Sequence, residues 1–580
     1  MNKIFNYFIA VLLFLTVISC KKTYEDHPLD IVSEDYIWDQ SDPTGTNADN
    51  YVAKLYAQLP KGYNRLNGVP LECASDDAVP SSDGSATWNV IRGGYSPSST
   101  FDDNWSASYS AIRGVNIFLA NYKRIPWADP TRPRWFAAES KVLRAYFYFE
   151  LIKRYGGVPL IGDKIYNSTD PALLKFKRSS FSDCVNYIMT ELTSVQDSLR
   201  PESLLSDRAS GNGTKDGTDP DMGRFRKSVV LAIKAKVLLY AASPLFNASS
   251  TPDKDYTGYP TYNKDRWKAA ADAAKAVMDL NLYALEANRY LLNTTRVNKE
   301  AIFERQGGGQ KNQYSYTLSP VGYTVSNTIS NGIISPTQEF VDAFPMKNGK
   351  AITDLTSGYD PKNPYANRDP RLNQTVFYNG GMWIKRAIET FEGGKDKPNN
   401  NSVAPVQTKT GYYAKKFLAD DGNNTSFTNT NYTSNEPAVW SFIRYADILL
   451  MYAEAQNEYS GPDATVYSAV EAIRQRAGLV PYVLPTGLSQ TQMRDIIRNE
   501  RRIELAFEEQ RFWDIRRWEI APAVYGVPLH GVTIVKNTNG TFTYTPIVVT
   551  TPYFKDAMNL LPIQLNETLV NLDMQQNPGY

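Results

Sequence analysis

Apolar residues recur at three- and four-residue spacing along much of the chain, the periodicity of helices with one buried face. Val142, Ala145, Tyr146, Phe149 and Ile152 form one such stripe, which the pair Gly156-Gly157 should terminate. Trp267, Ala270, Ala271, Ala274, Val277 and Met278 form another, with small residues that allow close helix approach. Further stripes run through Phe442, Tyr445, Ala446, Leu449, Tyr452 and Ala453, and through Val466, Ala469, Val470, Ile473 and Ala477 before Gly478. Ser489 and Gln492 read as a capping box for a helix carrying Met493, Ile496, Ile497, Ile503 and Phe507. Paired antiparallel, these helices predict a mostly α fold with a tetratricopeptide-like core, although no clean repeat period is visible. Alternation is scarce: Thr533–Tyr544, turning at Asn539-Gly540, predicts a minor β hairpin. Long Gly/Asn/Pro/Ser-rich loops occupy 60–104, 305–335, 345–382 and 392–439, and their aromatic residues favour a functional use.

The first residues follow a different pattern. Lys3 precedes an apolar run, Ile4–Ile18, interrupted only by Asn6 and Thr16 and too short to span a bilayer comfortably. Val17-Ile18-Ser19-Cys20 resembles the lipobox of bacterial lipoproteins, so residues 1–19 read as a cleaved signal peptide and Cys20 as a lipid attachment site. Loss of Lys3 leaves 61 basic and 61 acidic side chains, and no run of four consecutive Lys or Arg occurs, which gives no support to nucleic-acid binding. No linker composition divides the remainder, so 20–580 reads as a single loop-rich domain, Ser206–Gly223 being a surface loop.

The candidate chemistry is narrow. His27 and His530 are the only histidines, and there is no HExxH, CxxC, GxSxG or P-loop sequence. Asp253-Lys-Asp255 starts like a calcium loop, but Thr257 and Lys264 stand where oxygen ligands are needed. Cys73 and Cys184 have no spacing that predicts pairing. Tyrosine, at 38 residues, is abundant, which suits sugar stacking as well as core packing.

An ordered set of motifs resembles the SusD/RagB outer-membrane nutrient-binding lipoproteins. It comprises Trp105-x3-Tyr109-x2-Ile112-Arg113-Gly114-x-Asn116; Glu139-x4-Arg144-Ala145-Tyr146-Phe147-Tyr148 with Tyr155-Gly156-Gly157-Val158-Pro159-Leu160; and Arg368-Asp369-Pro370-Arg371-Leu372. Arg444-Tyr445-Ala446-Asp447-Ile448-Leu449, Ile473-Arg474-x-Arg476-Ala477-Gly478, Glu500-Arg501-Arg502-x-Glu504-Leu505-Ala506-Phe507-Glu508, Asp514-x-Arg516-Arg517-Trp518 and Asn577-Pro578-Gly579-Tyr580 complete it. The resemblance implies a non-enzymatic, cell-surface glycan-binding lipoprotein; no cofactor is expected and no residues are assigned to a metal, a structural one not being readable from the sequence. It would be anchored to the outer membrane through lipid and pass oligosaccharides to a TonB-dependent transporter of the SusC type. A peptide-binding relative and a lipoprotein glycosidase are the alternatives. Lys21-Lys22 stand between Cys20 and the acidic Glu25-Asp26, which leaves a periplasmic face open.

A sugar site needs exposed aromatic faces beside groups that match hydroxyls. Asp76, Asp77, Trp88, Asn89, Arg92 and Tyr95 supply both in the first long loop; Tyr314, Tyr316 and Tyr323 form a second group, and Trp383 is a third choice. Glu504 and Glu508 imitate a glycosidase pair, but arginines around them predict structural ion pairing.

Overall fold

The structure is a computed structural model that describes residues 34–580 apart from 64, 67, 168, 203–222, 249–253, 295–297, 307–315, 326–327, 419–430 and 433–438. Cys20 with its leader and Tyr314 therefore lie outside the described residues.

The principal helices are α1 (Thr46–Ala57), α2 (Thr87–Ile91), α3 (Trp105–Asn121), α4 (Thr131–Tyr155), α5 (Phe181–Val195), α6 (Lys227–Ala242) and α7 (Asp265–Met278). They continue as α8 (Tyr445–Ser460), α9 (Ala464–Ala477), α10 (Gln490–Glu504), α11 (Arg511–Arg517) and α12 (Leu565–Val570). Helices pack on their neighbours in series: α3 on α4 and α4 on α5, then α6 on α7, α7 on α8, and α9 and α10 on α8. Ala270, Ala271 and Ala274 of α7 are buried where it meets its neighbours, and their small side chains let the backbones come close. From Val142 to Ile152 α4 is buried on every side, as a helix at the centre of a core must be. It stops at Gly156, whose φ of 76° suits glycine and whose missing Cβ leaves room for the Tyr256 carbonyl oxygen.

The helix boundaries follow from local chemistry. The Asp463 side chain accepts the backbone N–H groups of Thr465 and Val466 to open α9, and the reciprocal Ser489–Gln492 capping box opens α10. Two expectations are corrected. Phe442 belongs to a strand, because the β-branched and aromatic run Val439–Arg444 pairs with Ala301–Gln306 before α8 begins. Phe507 lies beyond α10, with φ at 61°, so Glu504, Glu508 and Arg511 do not share one helix.

Short two-stranded ribbons fasten the long loops. Strands β1 (Ala78–Pro80), β2 (Ala301–Gln306), β3 (Ile334–Pro336), β4 (Val439–Arg444), β5 (Leu529–Lys536) and β6 (Phe542–Thr550) form three antiparallel pairs, β1–β3, β2–β4 and β5–β6. The last is the hairpin anticipated at Asn539-Gly540, with Ile534 opposite Tyr544.

Charges are buried in the core as a connected network. Arg444 reaches Glu504 and Glu508 at 2.8 Å each and also pairs with Glu300; Arg476 meets Glu504 at 2.6 Å and Glu300 at 3.0 Å. A second group joins Arg517 to Glu454 and Asp514, and Arg501 to Asp447 and Asp514. These residues bind strand β4, helices α8 and α10 and the segment that follows α10 into one unit. Cys73 and Cys184 are buried and unpaired. Among the described residues no helix is long and apolar enough to cross a membrane.

Candidate functional site

The loop before α2 is held from below by charge. Asp76 accepts from Arg511 at 2.7 and 2.8 Å and from Arg502 at 2.9 Å, while Asp77 accepts from Arg502 at 2.6 Å. Burial pushes both carboxyls up, but the two guanidiniums outweigh it at Asp76 and hold that group low; at Asp77 burial prevails. Both are anchors of the loop, with no surface to offer a ligand in this conformation.

Helix α2 rests on Trp88, which is only 8% exposed. The indole packs with Val79, Ile91 and Leu529, donates from Nε1 to the Ser82 carbonyl at 2.9 Å, and has the Arg92 guanidinium 5.5 Å from its ring centroid. The open platform expected at Trp88 is thus a wedge between the loop and strand β5. Tyr95 is also buried, edge-on to Phe101 at 4.6 Å. Asn89 and Arg92 are exposed.

The exposed ring that sequence reasoning missed is Tyr553. Its backbone N–H donates to the Ile91 carbonyl at 3.0 Å, and the side chain lies over Gly93, where a Cβ would sit 2.3 Å from Tyr553 Cδ1. Gly93 has φ at 72°, so glycine serves both the turn and the contact. The ring remains 56% exposed. Nothing in the periodicity near Thr551-Pro552-Tyr553 marks it; only the fold brings it to α2.

Helix α2 also borders a polar cleft of about 750 Å³, lined by Asn89, whose amide donates to the Gly94 carbonyl at 2.8 Å, and by Tyr95 together with Lys61, Arg65, Asp102 and Asn104. Arg65 is fixed there by Asp102 at 2.5 Å and by Glu509. The surface around α2 therefore combines an open aromatic face with amide, guanidinium and ammonium donors and carboxylate acceptors, the complement of a ligand with apolar C–H faces and hydroxyl edges.

Of the other expected residues, Tyr323 and Trp383 are internal. Tyr323 is fully buried, 4.5 Å from the buried ring of Trp383, and donates to the Trp383 carbonyl at 2.9 Å. Arg386 covers the Tyr323 ring at 3.9 Å and makes a two-pronged pair with Asp396 at 2.7 and 2.8 Å. Tyr323 and Trp383 are part of the main hydrophobic core. Tyr316 is half-buried, and Tyr314 is outside the described residues.

Glu504 and Glu508 do not form a cleft-facing acid pair. Burial alone would raise Glu504, but Arg289, Arg476, Arg444 and Arg371 overcome it and hold the carboxyl well below the usual range; Glu508, against the same burial, is lowered by Arg444 and Lys416. A general acid requires the opposite shift.

A further concavity of about 700 Å³ is largely apolar, with walls that include Trp105, Tyr109, Phe176, Val570 and Met574. Beside it Leu569, Val570 and Leu572 project from α12 and the following turn, Leu572 being 87% exposed.

Residues 299–580 match the family model described as the SusD family, and residues 36–210 match one described as starch-binding, associating with the outer membrane. SusD-like protein P38 of Formosa agariphila is 24% identical over 537 residues, covering 89% of this chain and 91% of the relative. A solved SusD-like protein from Bacteroides fragilis is 26% identical and covers 96% of this chain and 100% of its own, with a TM-score of 0.74. A solved laminarin-binding SusD-like protein shares the fold at a TM-score of 0.60, with 21% identity and coverage of 92% of this chain and 99% of that one.

Proposed function

Because the chain belongs to the SusD family, we propose that it captures oligosaccharides at the outer membrane and hands them to a TonB-dependent transporter of the SusC type, performing no chemistry on them. In this reading residues 1–19 are removed, Cys20 carries the lipid, and 20–580 acts as one domain facing the cell exterior.

The observation that carries the reading is the open Tyr553 ring beside exposed Asn89 and Arg92 on the α2 turn. A sugar can stack its C–H face on the ring while the amide and guanidinium match its hydroxyls, a combination that fixes orientation without a reactive group. A relative described as laminarin-binding supports carbohydrate as the ligand class. The depressed pKa values of Glu504 and Glu508 support binding over hydrolysis, since neither acid is poised to donate a proton. The exposed Leu569, Val570 and Leu572 support a protein partner, because clustered apolar surface gains from being covered.

Calorimetric titration of the purified protein with neutral oligosaccharides, laminari-oligosaccharides among them, tests the reading. Asn89→Ala combined with Arg92→Ala is expected to lower affinity about tenfold by removing two polar contacts. Unchanged affinity would take the α2 turn out of the site.

A further inference from the structure

The far end of α3 opens onto a second cleft of about 770 Å³, whose wall carries Lys123, Arg134 and Lys141. Lys123 and Arg134 are exposed and Lys141 is half-buried. Cations nearby are matched by acids: Arg132 pairs with Asp49 at 3.2 Å, Arg200 with Glu139 at 2.8 Å, and Arg224 with both Asp49 and Glu139. The three lining cations have no carboxylate partner among the described residues. The one acid on the wall, Asp163, shares Arg144 with Glu191, at 2.7 and 2.6 Å respectively. The cleft thus presents an excess of positive charge, three cations against one acid, in a protein whose overall charge is balanced.

Its remaining wall is mostly Leu, Ala, Pro and Val and carries two aromatic residues, Tyr122 and Trp127. Trp127 Nε1 donates to the Tyr122 carbonyl at 2.8 Å, which fixes the indole, and Gly45 backs the same ring so closely that a Cβ there would fall 2.1 Å from it. Trp127 and Tyr122 are both half-buried and line the cleft; Tyr122 stacks on Phe118 at 5.6 Å and has the Lys123 ammonium 5.9 Å from its ring centroid.

We propose that this cleft is a second glycan site, selective for sugars that carry a negative group, a uronate carboxylate or a sulfate ester. The cations hold the anion and the rings receive the C–H face, so a neutral sugar has only the weaker half of the recognition. The cleft is distinct from the α2 surface. Helix α3, at 17 residues, is about 25 Å long, and Asn104 at its start borders the first cleft while Asn116–Tyr122 border this one. A long acidic polymer that engages both sites would gain avidity rather than tighter single contacts. The inference rests on the glycan-binding reading but fails separately from it.

The test is calorimetry on the mature protein with three probes, tetragalacturonate, a chondroitin sulfate hexasaccharide and laminarihexaose, each at 50 and 300 mM NaCl. Each titration is repeated on Arg134→Gln/Lys141→Gln and, independently, on Lys123→Gln; thermal melts of these near-surface variants check the fold. At least one anionic probe should bind the parent, weaken tenfold or more in the double variant and at high salt, and weaken measurably in Lys123→Gln, while laminarihexaose responds to none of these changes. Binding of tetragalacturonate alone assigns the carboxylate, and of the sulfated probe alone the sulfate. Failure of both anionic probes to bind, or their binding to the double variant as to the parent, overturns the second site. Laminarihexaose binding in that case leaves the α2 reading standing, so the two readings fail separately.

Discussion

Arg444 Nη1 donates to Glu504 Oε1 at 2.8 Å across a buried junction that joins strand β4 to the C-terminal end of α10. Glu504 is also reached by Arg476 and Arg371, so its negative charge is the common counterion of several guanidiniums. Removing that charge leaves these cations buried without it. Glu504→Gln is expected to destabilise the protein by about 3–5 kcal/mol, the usual cost of breaking a buried ion pair on one side. Urea unfolding of parent and variant at pH 7 checks this, and a difference below about 1 kcal/mol would mean that the network relaxes freely.

Glu509 points to the opposite pH behaviour. Burial pushes its carboxyl up to about 7, with Arg65 opposing and Asp102 adding to the rise, and its backbone N–H donates to the buried Glu72. The folded value lies above the ordinary 4.5, so the fold favours the protonated acid. Stability linked to this group is complete below the unfolded value and is lost as pH rises through 7. Glu509→Gln mimics the protonated form. It should match the parent near pH 4 and exceed it above pH 7 by roughly 1–3 kcal/mol, read from melting curves across that range. A constant difference at every pH would contradict the shift.

Trp88→Ala removes a buried indole that touches Leu529 and bonds Ser82. The expected loss is about 3–5 kcal/mol, as for other large-to-small core changes. Any fall in glycan affinity should then track a loosened α2, visible as faster amide exchange at 87–92. An unchanged melting temperature would instead return Trp88 to the surface.

Leu569→Glu with Leu572→Glu tests the partner face. Both residues are exposed, so stability should change by less than about 0.5 kcal/mol per site. Co-purification of the proposed SusC-type transporter from detergent-solubilised outer membranes should fall several-fold. Undiminished recovery would place the transporter contact elsewhere.

Much of the helical frame was legible from residues alone, because periodicity, capping boxes and glycine stops act within a turn or two. The Ser489 box and the Gly156 stop are of this kind. Phe442 and Phe507 were misassigned where tertiary pairing and a left-handed residue broke a stripe that looked continuous. The candidate site was legible only in part. Composition pointed to the α2 loop, where the structure leaves Asn89 and Arg92 exposed, but burial depends on contacts between residues hundreds of positions apart. Trp88 turned inward onto Leu529, and Tyr553 arrived from the other end of the chain. The three-cation cleft was equally invisible, since its charges become a patch only when α3 and α4 meet.

Affinity electrophoresis through gels cast with neutral polysaccharides, laminarin included, tests the central claim most directly, comparing the parent with Tyr553→Ala and assaying the gel for new reducing ends. The account predicts that at least one polysaccharide retards the parent and that no reducing ends form. It also predicts that Tyr553→Ala, with an unchanged melting temperature, loses about 1–2 kcal/mol of binding, roughly tenfold or more in Kd. Unretarded migration of the parent in every gel, equal retardation of the variant, or sugar cleavage by the pure protein would contradict it.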